Sequence, residues 1–285
     1  VTELSLFDME RLPFVVQSKP ATESRRLTLL FPVPDTDAFA DRDPLRYIGH
    51  LLGHESEGSL LAHLKSKGYA NGLSAGESLG MTESRSFSIS ISLTPEGFVD
   101  RDEIISEIFR TIRLIETRGI DRWRFDELKV ISDANFKFEE ESIPQNVVTY
   151  LSQKLHSVPP QQLFTHGRLL KRFDGQLIKD MLGWLTPEHM LIRVTAPEIE
   201  PKETTTYYPT SIHRFGLGKQ RLKTFNKARN EISDIVRLPE PNPFIQAPDA
   251  PLPDTRKATI DTQPDVLFLS EGSFGYVLTE NRFSQ

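Results

Sequence analysis

His50 and His54 stand four residues apart in the run His50-Leu51-Leu52-Gly53-His54-Glu55. On a helix that spacing puts two imidazoles on one face, the geometry two nitrogen ligands of a single zinc ion need. Hydrolysis at such a site also needs a carboxylate base and a further ligand. In the H-x-x-E-H arrangement the glutamate just before the second histidine activates the metal-bound water. Here that position is Gly53, which can take no proton. Glu55 lies after His54, turned roughly 100° beyond it on a helix. The reverse arrangement, H-E-x-x-H, fails too, because His54-Glu55 is followed by Ser56-Glu57-Gly58. His50 and His54 are therefore rejected as metal ligands and read as residues that pack at a helix end and bond to backbone. His63, His156, His166, His189 and His213 are scattered without ligand spacing, and Glu139-Glu140-Glu141 reads as a solvated helix end. No G-x-S-x-G elbow, P-loop or dinucleotide glycine pattern occurs, so no catalytic residue is assigned.

The elements that would carry these residues can be read from spacing. Arg25 to Val33 is a strand rich in large apolar residues. Asp43 caps and Pro44 opens a helix with Leu45, Ile48, Leu51 and Leu52 at helical spacing, reaching about Gly53. A second short helix runs from about Gly58 to Lys67 and stops at Gly68. Tyr69 to Ala75 is a further strand. Phe87, Ile89, Ile91 and Leu93 alternate with Ser86, Ser88, Ser90 and Ser92, the clearest strand signal in the chain. Ile104, Ile105, Ile108, Ile112 and Ile115 mark a long amphipathic helix ending near Gly119. Another runs from Asp121 to about Glu141, with Trp123, Phe125, Leu128, Ile131 and Phe138 as burial candidates, and Ser142-Ile143-Pro144 opens one more. After Pro159-Pro160 come a helix over Gly175 to Leu185 and a strand from His189 to Thr195.

This order predicts an α+β fold, a mostly antiparallel sheet covered by helices on one face. The expected division is an α+β domain over residues 1–215, an extended arm and Pro-rich linker over 216–260, and the stub of a following domain over 261–285. Residues 239–254 hold six prolines, and Val266 to Leu278 reads as a strand pair.

Composition narrows the function classes. The formal charge of −6 arises from 40 acidic and 34 basic residues spread along the chain, so no basic stripe exists for nucleic acid. There is no cysteine, which excludes disulfides, thiol nucleophiles and Cys-ligated zinc. No apolar run approaches the ~18 residues of a membrane span. The expectation is a soluble protein, periplasmic or cytoplasmic. The chain starts at Val1 without an initiator Met, so the start of the gene product is expected upstream.

Tyr47-Ile48-Gly49-His50-Leu51-Leu52-Gly53-His54-Glu55, continued by Gly58-Ser59-Leu60-Leu61 and Leu64-Lys65-Ser66-Lys67-Gly68-Tyr69, closely resembles the second domain of insulinase/pitrilysin-type zinc metallopeptidases. Phe31-Pro32-Val33-Pro34-Asp35 and Asn71-Gly72-Leu73-Ser74-Ala75-Gly76 flank it at matching distances, and Leu238-Pro239-Glu240-Pro241-Asn242-Pro243-Phe244-Ile245 resembles the segment closing the N-terminal half in that family. The resemblance implies a mitochondrial-processing-peptidase-like chamber domain and a parent zinc metalloendopeptidase of four domains. Zinc would be held by the first of these, and no cofactor would be held by this fragment. The second domain would be an inactive, degenerate copy of the first, which fits Gly53 at the glutamate position. Its implied partners are peptide substrates and the remaining domains of the same polypeptide. Carried over residue by residue, the family's anchor for the substrate N-terminus falls on Gly53, Glu55, Leu73, Ser74 and Ala75. Ala75 departs from the glycine found in relatives, as does Ser56-Glu57 from their pattern. Two competing readings are an inactive scaffold subunit without peptide binding and an independent metal enzyme on His50 and His54; Gly53 argues against the second.

Overall fold

The structure, a computed structural model, describes residues 11–81, 84–140, 142–200, 202–204, 211–245, 265–270 and 273–277. Of the arm and linker expected over 216–260, residues 246–260 lie outside the described residues, as does the strand end at Leu278. The chain forms two compact units, Val1–Asn242 and Pro243–Gln285.

In the first unit the elements follow in the order β1 (Phe14–Ser18), β2 (Arg26–Val33), α1 (Pro44–Leu52), α2 (Leu60–Ser66), β3 (Ala70–Met81), β4 (Ser84–Leu93), α3 (Pro95–Val99), α4 (Arg101–Arg118), α5 (Arg122–Lys137), α6 (Pro144–Lys154), α7 (Gly175–Leu182), β5 (Leu191–Thr195), β6 (Glu203–Thr204), β7 (Ser211–Gly216) and α8 (Lys219–Arg229). The sheet has the order β3-β4-β2-β5-β1-β7-β6. Among the described residues only the β1–β5 pair is parallel. This is the mixed α+β class, with the mostly antiparallel sheet, that the sequence predicts. In the second unit β8 (Asp265–Ser270) and β9 (Ser273–Val277) form an antiparallel hairpin.

Register explains the core. Leu27, Leu29 and Phe31 of β2 lie opposite Ile91, Ile89 and Phe87 of β4, and Leu27 and Leu29 also face Val194 and Ile192 of β5. All of them are buried. Each such side chain contributes about 1.5–3 kcal/mol relative to exposure. On the opposite pleat Thr28 and Ser90 share a hydrogen bond at 3.2 Å. Thr28 and Leu30 are themselves buried, so at β2 the second face is shielded as well.

α1 begins where Asp43 accepts the Arg46 backbone N–H at 3.0 Å, with Pro44 in the first turn. Its Leu45, Ile48 and Leu52 are fully buried. The Tyr47 hydroxyl donates to the Gly119 carbonyl at 2.6 Å and accepts the Asp121 N–H at 3.1 Å, tying α1 to the turn between α4 and α5. Burial pushes that phenol up to about 12.

Three expectations need correction. β3 runs on past Ala75 to Met81, because pairing with β4 continues through glycines that weaken a strand pattern in sequence. Residues 219–229, placed in an extended arm, form α8, whose Phe225 and Ala228 are buried. Phe138 is 74% exposed, since α5 ends at Lys137 and the helical stripe stops with it.

α8 is held to the domain by charge as well as by packing. Glu116 of α4 accepts hydrogen bonds from Arg113 and Arg229, each at 2.9 Å, and Arg229 also donates to the carbonyls of Leu185 and Leu182. Burial pushes the Glu116 carboxyl up, and the two guanidinium groups more than offset this, leaving it below its ordinary value. A depressed folded pKa contributes stability that is fully present above the unfolded value near ~4.3 and is lost as pH falls through the folded value. Glu116→Gln is expected to lower stability at neutral pH by about 1.5–3 kcal/mol and to reduce the acid sensitivity of what remains. Urea midpoints measured from neutral pH down to acid pH check this; an unchanged acid slope would locate the responsible carboxylate elsewhere. Among the described residues, no helix is long and apolar enough to cross a membrane.

Candidate functional site

Among the described residues β3 is an edge strand, paired only with β4, and its outer main-chain groups have no strand partner there. α1 stands against it. A Cβ at Gly49 would lie 2.7 Å from the Ala75 carbonyl oxygen, and one at Gly53 would lie 3.6 Å from the Ala75 nitrogen. Glycine at these two positions, one helical turn apart, lets the helix backbone approach the strand and keeps side chains out of the space between them. That space is a cleft of about 710 Å3.

The five residues carried over from the family, Gly53, Glu55, Leu73, Ser74 and Ala75, all line this one cleft. Glu55 is exposed and has no hydrogen bond or ion pair with the described residues. Sequence reasoning missed Asp43, Arg46, Gly49, Gly76, Glu77 and Leu128, which share the lining. Arg46 and Gly49 were open to inference: Arg46 lies four residues before His50, and Gly49 four before Gly53. Leu128 arrives on α5 from far along the chain, and no local signal announces it.

His50 and His54 also line the cleft. Their rings are 5.6 Å apart and nearly perpendicular. α1 ends at Leu52, so His54 lies beyond the helix, where its Nδ1 accepts the Ser56 backbone N–H at 3.1 Å. A neutral imidazole that accepts at Nδ1 carries its proton on Nε2. Burial, then the nearby His54 and Arg46, hold His50 below the ordinary histidine value. Burial also lowers His54, against the opposing pull of Glu127 and Glu55. Both rings are therefore less readily protonated than an ordinary histidine.

These residues do not fit zinc. Position 53 offers no carboxylate, the His54 Nδ1 lone pair is taken by a backbone N–H, and among the described residues no three His, Cys, Asp or Glu side chains converge to hold a metal ion. What the cleft offers is a strand edge lined by the imidazoles of His50 and His54, the carboxylates of Asp43, Glu55 and Glu77 and the guanidinium of Arg46.

Family models account for nearly the whole chain. Residues 8–131 match the peptidase M16 inactive domain, and residues 136–285 match the middle or third domain of peptidase M16. The chain belongs to the peptidase M16 family. Within that family the segment carrying the cleft is the part that matches the inactive domain. Human insulin-degrading enzyme is 31% identical over 255 residues, covering 89% of this chain and 25% of that protein. The A-factor-processing enzyme of Saccharomyces cerevisiae is 30% identical over 238 residues, covering 83% of this chain and 23% of that protein. Protease 3 of Escherichia coli is 28% identical over 233 residues, with 81% and 24% covered. The chain thus spans about a quarter of the length of these M16 relatives. The crystal structure of pitrilysin shares the fold, with a TM-score of 0.80 at 24% identity over 95% of this chain and 28% of that one.

Proposed function

We propose that this chain is a wall of the chamber of a multidomain M16 zinc endopeptidase, and that its cleft anchors the N-terminus of an extended peptide. Cleavage itself would belong to a zinc-bearing domain elsewhere in the parent polypeptide. The observation that carries this reading is the meeting, in one cleft, of the edge of β3 with the unpartnered carboxylate of Glu55. A strand edge hydrogen-bonds to an extended peptide through main-chain groups, whatever its sequence. A carboxylate accepts an α-ammonium group by charge-assisted hydrogen bonds. Imidazoles less readily protonated than an ordinary histidine add little repulsion against that cation. Such a site contributes binding and positioning, with no bond made or broken there.

The test is binding of an unstructured peptide of about twenty residues, labelled at its C-terminus, with a free or an acetylated N-terminus. The free amine is expected to bind at least about tenfold more tightly, as one charge-assisted hydrogen bond of ~1.5–3 kcal/mol implies. Glu55→Gln should remove most of the difference, and neither peptide should be hydrolysed. The exposed Phe138, Ile143 and Val148 favour a second reading, an inactive scaffold that docks another protein. Equal binding of the two peptides, or none, would favour it.

A further inference from the structure

A second cleft of about 390 Å3 lies next to the first and shares Arg46 with it. The two are strung along one helix face. Leu128 of α5 lines the first, and Ser132, Asn135, Phe136 and then Glu139 line the second. Steps of four, three and one residues from Leu128 to Phe136 keep these positions on one side of α5, and Glu139 follows just beyond its end. The lining therefore continues from the edge of β3, past Arg46, along α5 towards Gly167.

The chemistry of the second cleft is cationic. Its charged lining residues are Arg46, Arg168 and Glu139. Arg168 is paired with Glu139, and its guanidinium lies over the Phe136 ring, 4.8 Å from the centroid. The Arg168 carbonyl accepts from the buried Ser132 hydroxyl and from one Arg46 guanidinium nitrogen at 3.3 Å, which fixes the loop against both helices. Lys154 donates to the His166 carbonyl, two residues before Arg168, at 2.8 Å. Glu139 is thus committed to Arg168, and Asp43, on the other side of Arg46, is committed to capping α1. Arg46 is within salt-bridge distance of no carboxylate among the described residues, and its charge acts at longer range on Asp43. A guanidinium has five N–H donors, and its hydrogen bond to Arg168 is the one it makes among the described residues.

We propose that the second cleft, with Arg46 at its mouth, is a subsite for an acidic side chain of the anchored peptide. This rests on the anchoring reading of the first cleft. Gly53 to Arg46 spans about 10 Å of helix and Leu128 to Asn135 about as much, while an extended peptide covers ~3.3 Å per residue. The carboxylate accordingly belongs at about the fourth to sixth residue from the N-terminus. Arg46 is a specificity-determining residue that sorts substrates by charge some residues in from the end that Glu55 holds.

The experiment walks one Asp, against an Asn background, through positions two to eight of a C-terminally labelled peptide with a free N-terminus, and measures Kd at each. Binding is expected to tighten about fivefold to tenfold at positions four to six and to be flat at the rest. Arg46→Gln should flatten the scan, with a urea midpoint close to that of the unmodified chain showing that the variant is folded. Arg46→Glu should reverse the preference, favouring a Lys walked through the same positions. A flat Asp scan with the amine preference intact overturns the subsite alone, as does a scan that Arg46→Gln leaves unchanged. Loss of the amine preference in the unmodified chain overturns the anchor and the subsite together.

Discussion

Phe109→Ala is expected to destabilise the first unit by about 3–5 kcal/mol. Phe109 is fully buried on α4. Its ring meets Phe31 of β2 edge-on, with centroids 6.2 Å apart, and Phe225 of α8 at 6.3 Å. It therefore bridges sheet, long helix and C-terminal helix at one point. Truncation removes the transfer energy of the ring and leaves a cavity between two other aromatics whose own backbones are fixed in different elements. The site can collapse only by moving α8, which the Arg229–Glu116 and Arg221–Asp102 pairs hold in place. Urea unfolding should show a lower midpoint at unchanged slope. Val99→Ala, at a position 72% exposed, should stay within about 0.5 kcal/mol. If both substitutions shift the midpoint equally, Phe109 is not the keystone described above.

Gly49→Ala should destabilise the domain by about 1–3 kcal/mol and abolish preferential binding of free peptide amines. Intrinsic propensity argues for the opposite sign, since Ala in a helix interior is favoured over Gly by about 0.8–1 kcal/mol. Space decides against it. The new Cβ would lie 2.7 Å from the Ala75 carbonyl oxygen and 3.1 Å from the Gly76 Cα, both backbone atoms that cannot rotate away. α1 must then move off β3, carrying Gly53, His50 and Arg46 with it and changing the shape of the cleft. Gly72→Ala, on the same strand but with no atom within 4 Å of its Cβ, serves as the control and should be tolerated. A thermal melt gives the sign directly: a rise in Tm for Gly49→Ala would mean that helix and strand do not touch as described.

Much of the scaffold was legible because local pattern and tertiary role agree. The alternation from Ser86 to Leu93 became β4 with its apolar pleat in the core. Asp43-Pro44 capped and opened α1, and Gly68, with φ +71, follows α2. Failures came where long-range contacts define an element. β1 is five residues long and gains its place from β5 and β7, paired across nearly the whole domain. α8 has few apolar residues, and ion pairs to α4 supply part of what its stripe lacks. In the candidate site, the glycine that stands where an H-x-x-E-H motif carries its base was readable directly, at Gly53. The positions Gly53, Glu55 and Leu73 to Ala75 came from family resemblance and not from any pattern, because a strand edge leaves no mark in composition. Leu128 and the second cleft required knowing where α5 lies.

The Tyr47 hydroxyl, bonded to both sides of the α4–α5 turn, bears on how the cleft would respond to cargo. It fastens the helix forming one wall to the start of the helix closing the floor, so the gap is set before any peptide arrives. A receptacle of fixed gauge gives up little of its own freedom on filling, and the entropy lost belongs almost wholly to the guest. If the cleft anchors peptides as proposed, stiffening the guest is the lever on affinity: peptides held extended near their N-termini would gain, and collapsed or folded ones would first have to open elsewhere.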